Sequence, residues 1–252
     1  MFANYHTHTA RCRHAVGTER EYIARAIQSH IHILGFSDHT PFPDGPKSGM
    51  SPDELEDYTS TLLALREEYQ GKLEIHIGLE AEFDPRTFPR LLDLLRQYPI
   101  EYLILGEHYT FGAPGDPGAQ TPTDDEKLLD QHCGLCRDAL DTGLFTYLAH
   151  PDVFYFTGSE AVYQEKMRQL CRFAYDRNIP LEINLLGLRT NRHYPSDRFW
   201  KIAGEEGCDV VIGTDAHEPE AFLDTNAPRT AMEMVDTYHL KLLQTVPLRP
   251  LK

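Results

Sequence analysis

The sequence predicts an α/β fold built as one parallel barrel, and three observations predict it. Seven short apolar runs recur along the 252 residues, each rich in β-branched or aromatic side chains. Stretches with helical periodicity and readable caps lie between them. Each run ends in a residue able to hold a proton or a metal. Strand and helix in alternation imply parallel strands joined by helical crossovers. The length favours a single closed barrel over a doubly wound sheet, two arrangements that periodicity alone does not separate.

The runs are FANYH (2–6), IHILGFS (31–37), LEIHIGLE (73–80), EYLILGE (101–107), LFTYLAH (144–150), PLEINLL (180–186) and DVVIGTD (209–215). Between the first two, Thr18 opens T-E-R-E with Glu21 three residues on, a capping box. Ser51 and Glu54 repeat the pattern, with Pro52 at the first helical position, where its missing N–H costs nothing. LEDYTSTLLALREEY then carries apolar residues at helical spacing. Further helices are predicted near 86–97, 124–142, 160–177, 196–206 and 228–243. No low-complexity tract or long linker intervenes, so 1–252 reads as a single domain.

The net charge of −15 argues against nucleic-acid partners and anionic membranes. It leaves room for a small phosphorylated substrate, because bound metal ions and a few arginines reverse the field locally. No apolar run approaches the roughly 20 residues that cross a bilayer. Residues 1–14 lack the apolar stretch of a secretory leader, and five cysteines show no framework spacing. The expectation is a cytoplasmic protein, with Cys133 and Cys136 of CGLC as helix-packed thiols. Nothing in the sequence fixes an oligomeric state.

In a parallel barrel the carboxyl ends of all strands meet on one face, where active sites sit. The runs end in His6 and His8, Asp38-His39, Glu80 with Glu82, Glu107-His108, His150-Pro151-Asp152, Asn184 followed by Arg189, and Asp215 with His217. Residues two apart on a strand point the same way, so His6 and His8 converge, as do Asp215 and His217. A single histidine at a strand end is usually a hydrogen-bonded structural residue. Seven runs in succession ending in metal-competent residues point instead to divalent metals, for which imidazole and carboxylate are the natural ligands. His76 shares parity with Glu80 but lies four residues deeper, and reads as a packed, hydrogen-bonded residue.

H-T-H at 6–8, S-D-H at 37–39, G-L-E at 78–80, G-E-H at 106–108, A-H-P at 149–151 and G-T-D-A-H at 213–217 resemble the polymerase and histidinol phosphatase (PHP) superfamily. The resemblance extends to about residue 220. The opening HTHT-x-R-C-x-H-A, SDHTPFP and NLLGLR are most similar to its stand-alone histidinol-phosphatases. It implies a distorted (β/α)7 barrel holding two to three divalent ions (zinc, iron or manganese) at the C-terminal ends of the strands. By the same resemblance His6, His8, Glu80 and Asp215 hold one ion, and Glu80 bridges to a second held by His108 and His150. His14, His39 and His217 hold the third. One departure is visible: Asn4 stands where the family often has Asp, which puts its supporting role in doubt.

The implied reaction is hydrolysis of a phosphate monoester, L-histidinol phosphate, to L-histidinol and phosphate in histidine biosynthesis. Two ions sharing Glu80 would lower the pKa of a bridging water enough for it to attack as hydroxide. Asp215 or a water would relay the leaving group's proton. Arg189 is expected to clamp the phosphate, with Arg192, His193 and Tyr109 as further substrate-binding candidates. The loops at 109–125 and 40–49 are candidate lids, and Glu82 is expected behind the ligands. The alternatives are a phosphoesterase acting on nucleotides or other small esters, and a non-catalytic metal-binding module.

Overall fold

A computed structural model of the chain describes residues 1–41, 49–112 and 115–251. Most of the loop predicted at 40–49 therefore lies outside the described residues. Eight strands form one sheet in sequence order, every neighbouring pair parallel: β1 (Ala3–Asn4), β2 (Ile33–His39), β3 (Glu74–Ala81), β4 (Tyr102–Leu105), β5 (Phe145–Leu148), β6 (Leu181–Asn184), β7 (Asp209–Gly213) and β8 (Lys241–Leu242). Helices α1 (Glu19–Gln28), α2 (Leu55–Glu68), α3 (Phe88–Leu95), α4 (Glu126–Asp141), α5 (Glu160–Asp176), α6 (Leu185–Arg189), α7 (Asp197–Glu205) and α8 (Asn226–Thr237) connect them. The capping box predicted at Thr18 and Glu21 is formed. Among the described residues, no helix is long and apolar enough to cross a membrane.

The seven predicted strands are present, and β8 is an addition. The helix predicted over 228–243 stops at Thr237, because His239 takes a left-handed conformation (φ 53°) and the chain turns back to pair with Asp209–Val210. That pairing uses only the base of β7. At the rim β7 meets β1 instead: Thr7 bridges Ala216, with His8 N donating to Ala216 O at 2.9 Å. The barrel thus closes between β1 and β7 on the face where strands end, and β8 fills the gap beneath. A second departure is α6, which begins directly at the end of β6. The Asn184 side chain caps it by accepting from Gly187 N at 2.9 Å.

Helix faces packed on the outer side of the sheet form the main core. A smaller apolar cluster fills the base of the barrel, with Tyr5, Tyr102, Ile104, Tyr147 and Val211 among its members. Tyr102 spans it, its hydroxyl donating to Tyr5 O at 2.8 Å and Phe36 O at 3.2 Å and so tying three strands together. His76 sits at this base, bonded to Glu74 at 2.8 Å and away from the rim. Tyr102→Phe is expected to cost about 1–2 kcal/mol, because two buried carbonyls lose a donor. Urea unfolding with an unchanged m-value checks this; an unaltered midpoint would refute it.

Candidate metal centre

The apolar plug stops below the rim, and above it the interior is polar. Asn4 sets the register of the first ligands. Its amide donates to Thr7 Oγ1 (2.7 Å) and His6 O (3.2 Å), while its carbonyl accepts from Thr214 N (2.7 Å). An aspartate could accept but not donate, so Asn4 ties β1 to β7 by using both halves of the amide. His6 and His8 consequently enter the barrel side by side, their rings 5.2 Å apart.

Glu80 is the centre of the site. His150 Nε2 lies 2.9 Å from its Oε1 and His108 Nε2 3.8 Å; His39 Nδ1 is 3.2 Å from its Oε2, and His6 and His8 Nε2 are each 3.5 Å away. The carboxylate fits only because residue 106 is glycine: a Cβ there would fall 1.9 Å from Glu80 Oε1. Asp215 approaches from the opposite side, its Oδ1 3.1 Å from His8 Nε2, 3.5 Å from His6 Nε2 and 3.3 Å from His217 Nδ1. His14, which follows a left-handed Arg13 (φ 72°), stacks 4.8 Å from His217 and lies tilted 5.3 Å from His39 at the exposed edge of the cluster. The nine residues predicted as ligands are therefore brought together.

Several histidines have a fixed outer nitrogen. His6 Nδ1 meets Glu182 at 2.7 Å, His108 Nδ1 meets Glu82 at 2.7 Å, and His14 Nδ1 meets Cys12 O at 2.7 Å. Such partners orient a ring so that its other nitrogen faces inward. Glu182 had no part in the expectation, although it shares parity with Asn184 on β6. Cys12 was also missed as a neighbour; its thiol lies within ligand distance of His14 and His217.

Burial opposes charge throughout, yet the cluster sustains it. His6, His108 and their neighbours outweigh burial and hold Glu80 and Asp215 well below the usual carboxylate range. Burial is likewise outweighed at His6 by Glu182, Asp215 and Glu80, and at His8 by Asp215 and Asp38, so both are pushed well above 6.5. His39 and His217 go the other way, lowered by burial and by the charge on His8. Behind His108, burial and the charge of Glu82 push the Glu107 carboxyl well above its usual range.

The donor set fits divalent cations. His6 Nε2, both ring nitrogens of His8, His150 Nδ1 and Asp215 Oδ1 are buried without a hydrogen-bond partner. The separations of 3.1–3.5 Å around His6 and His8 match the spacing of ligands about a single ion. Ligand atoms ~2.1 Å from one tetrahedral ion lie about 3.4 Å apart. His6, His8 and Glu80 form one set within 4.8 Å; His6, His150 and Asp215 form another; and His8, His39 and His217 a third.

A cavity of about 490 Å³ opens over the cluster, with Tyr109, Gln120, Leu186, Arg192 and Tyr194 on its wall. Arg192 is held by Tyr194 Oη at 2.8 Å. Arg189 does not line this cavity: it ends α6 and points behind Asp215, its Nη1 3.5 Å from Thr214 O. His193 stacks on Tyr155 at 4.1 Å and contacts Val153 O at 2.8 Å, outside the lining.

A parallel barrel with a buried cluster of imidazoles and carboxylates at its rim defines a barrel metalloenzyme. More narrowly, the chain belongs to the PHP domain family, whose model matches residues 4–185. It is 31% identical over 262 residues to the histidinol-phosphatase of Bacillus subtilis, covering 87% of this chain and 97% of the relative. It is 30% identical over 227 residues to a Deinococcus radiodurans protein named "Probable histidinol-phosphatase", covering 85% of each. The crystal structure of a Lactococcus lactis histidinol phosphate phosphatase, complexed with zinc, L-histidinol and phosphate, superposes with a TM-score of 0.76 over 98% of both chains. At 18% identity that likeness is one of fold.

The charge distribution sets a pH dependence for metal-free protein. Burial disfavours the His108 cation, but Glu80 and Glu82 raise it from 6.5 to about 9. A raised histidine contributes stability that is complete below its unfolded value and lost as pH climbs through its folded value. Chelated protein should therefore lose stability as pH rises from 6.5 through about 9, with His6 and His8, raised likewise, adding to the slope of His108 while His39 and His217 stay neutral. Thermal midpoints across that window are the check; His108→Gln should flatten the slope, and an equal slope in both would refute the assignment.

Proposed function

We propose that the chain is a metal-dependent phosphatase that hydrolyses L-histidinol phosphate to L-histidinol and inorganic phosphate. The observation that carries the reading is Glu80, buried at the rim with five imidazole nitrogens 2.9–3.8 Å from its two oxygens, beneath a cavity walled by Arg192. Two relatives at 30% and 31% identity, matched over most of their length, bear the corresponding name.

In this reading His6, His8, Glu80 and Asp215 hold one divalent ion, Glu80, His108 and His150 a second, and His14, His39 and His217 a third. Bound there, such ions supply Lewis acidity toward the phosphoryl oxygens and activate water. The chain's own groups do the rest. Arg192, steadied by Tyr194, offers a planar cation to the phosphoryl group at the mouth of the cavity. Asp215 or a water relays the proton lost by the attacking water to the oxygen of the departing alcohol. Tyr109, Gln120 and Leu186 form the wall along which the alcohol portion extends. Arg189, behind Asp215, acts on the phosphate only through its field. Five buried, free thiols suit a reducing cytoplasm.

Phosphate release from L-histidinol phosphate, beside a panel of nucleotides and simple phosphate esters, tests the substrate. Strong selectivity for histidinol phosphate, lost on chelation and restored by zinc or manganese, is the expected result. Highest activity on a nucleotide would overturn the substrate, and undiminished activity after complete metal removal would overturn the metals.

Arg192→Ala is expected to raise KM roughly tenfold or more, in keeping with loss of a charge-assisted contact. Arg189→Ala should change KM less. Steady-state kinetics on both decide it, and the reverse order would return the phosphate clamp to Arg189.

A further inference from the structure

We infer that Glu182 is the positioning residue that makes the two ion positions on either side of Glu80 a single unit. The inference rests on the metal-dependent reading above. Glu182 is fully buried, and the hydrogen bonds to its carboxylate come from neutral donors and from His6. Its Oε1 takes His6 Nδ1 at 2.7 Å and Tyr147 Oη at 3.5 Å; its Oε2 takes His150 N at 3.1 Å and Asn184 Nδ2 at 3.0 Å.

Those contacts reach both sides of the site. By accepting from His6 Nδ1–H, Glu182 selects the tautomer in which Nε2, the nitrogen that faces Glu80 and Asp215, is the one that gives up its proton to a bound cation. By accepting from the backbone of His150 it holds that residue at a positive φ of 28°, the conformation that aims its ring at Glu80. Asn184 extends the hold, because its Nδ2 also donates to Asp215 Oδ2 at 3.0 Å. The amide cannot flip, since its Oδ1 caps α6 at Gly187 N. Asp215 Oδ1 is thereby left facing His6 and His8. The path His6–Glu182–Asn184–Asp215 closes on itself, with Asp215 Oδ1 3.5 Å from His6 Nε2. Gly213 makes the room, as a Cβ there would fall 1.8 Å from Glu182 Oε1.

Glu182→Gln removes one acceptor and adds a donor at nearly constant shape. If the amide nitrogen faces His6, Nδ1 must become the acceptor and Nε2 carries the proton. If it faces the other way, it opposes His150 N–H and the Asn184 amide. Either arrangement damages ligands on both sides of Glu80. The position formed by His14, His39 and His217 is untouched.

The test is a competitive zinc titration of the full-length, metal-free protein, wild type against Glu182→Gln, with metal-free thermal midpoints alongside. Losing an outer-shell partner of a ligand typically costs roughly ten- to a hundredfold in metal affinity. A loss of that size, confined to the ions bound through His6, Asp215, His150 and Glu80 and sparing one remaining site, supports the inference. Unchanged zinc binding overturns it, and so does uniform weakening of every position with a lowered metal-free midpoint, the mark of a merely structural role. Should Glu182→Gln fail to fold, Asn184→Ser decides. Serine still caps α6 but removes the amide bridge to Asp215. A smaller loss at the same positions supports the inference, and unaltered affinity overturns it. Wild-type protein that binds no zinc would instead defeat the metal-dependent reading.

Discussion

The rim is organised around the burial of one carboxylate. Glu80 is about 2% exposed, and an ionised carboxylate at such a place is unfavourable by several kcal/mol unless positive charge surrounds it. His6, His8 and His108, from two separate strand ends, supply that charge, and His39 and His150 crowd in beside them. Removing side-chain volume was a further condition, met by glycine at position 106. The burial that makes Glu80 hard to ionise is also what makes it useful, because a low-dielectric surround strengthens its hold on any cation brought between it and the imidazoles.

Bringing residues 6 and 217 together requires the barrel to close, and closure is achieved by a compromise. Eight strands at the base would set the rim too wide for His8 and His217 to stack at 4.0 Å. The Thr7–Ala216 bridge draws β1 directly onto β7 at the top, while β8 fills the space below. Asn4 locks this seam from beneath. The distortion of the barrel is therefore a property of the site: seven strand ends meet where the ligands are, and an eighth short strand serves only the apolar end.

Much of this was legible in the sequence for a simple reason. Strand parity and the shared direction of parallel strands are enough to gather His6, His8, Glu80, His108, His150, Asp215 and His217 at one rim. What parity could not show was local. Leu185-Leu186 reads as the tail of a strand with Arg189 beyond it, and only the Asn184 cap turns Leu185–Arg189 into a helix that carries Arg189 behind Asp215 and leaves Arg192 on the cavity wall. Glu182 carried the same parity signal as Asn184, yet an acid inside a strand gives no hint of its partners until the space at Gly213 is known. The pair Lys241-Leu242 follows a helical pattern without Gly or Pro, so nothing local announces a strand there. Asn4 was legible as a departure from the family pattern, but its role depends on Thr214, far along the chain.

Stability and function are divided between the two ends of the barrel. At the base, Tyr102 satisfies two carbonyls and fills the interior with aromatic and aliphatic surface. The rim holds the opposite features: His150 and Asp215 at positive φ (28° and 47°), and unpartnered buried nitrogens on His6, His8 and His150. Each strained backbone costs about 1–3 kcal/mol, and each unsatisfied buried group a similar amount. Such a rim persists because the plug and outer helices over-determine it. It is also the part with most to gain from a ligand, since any cation engaging those nitrogens relieves desolvation and repulsion together. An arrangement poor in internal partners but rigidly supported from below is what a preorganised site requires: its groups are already oriented, and what they lack is supplied by what binds.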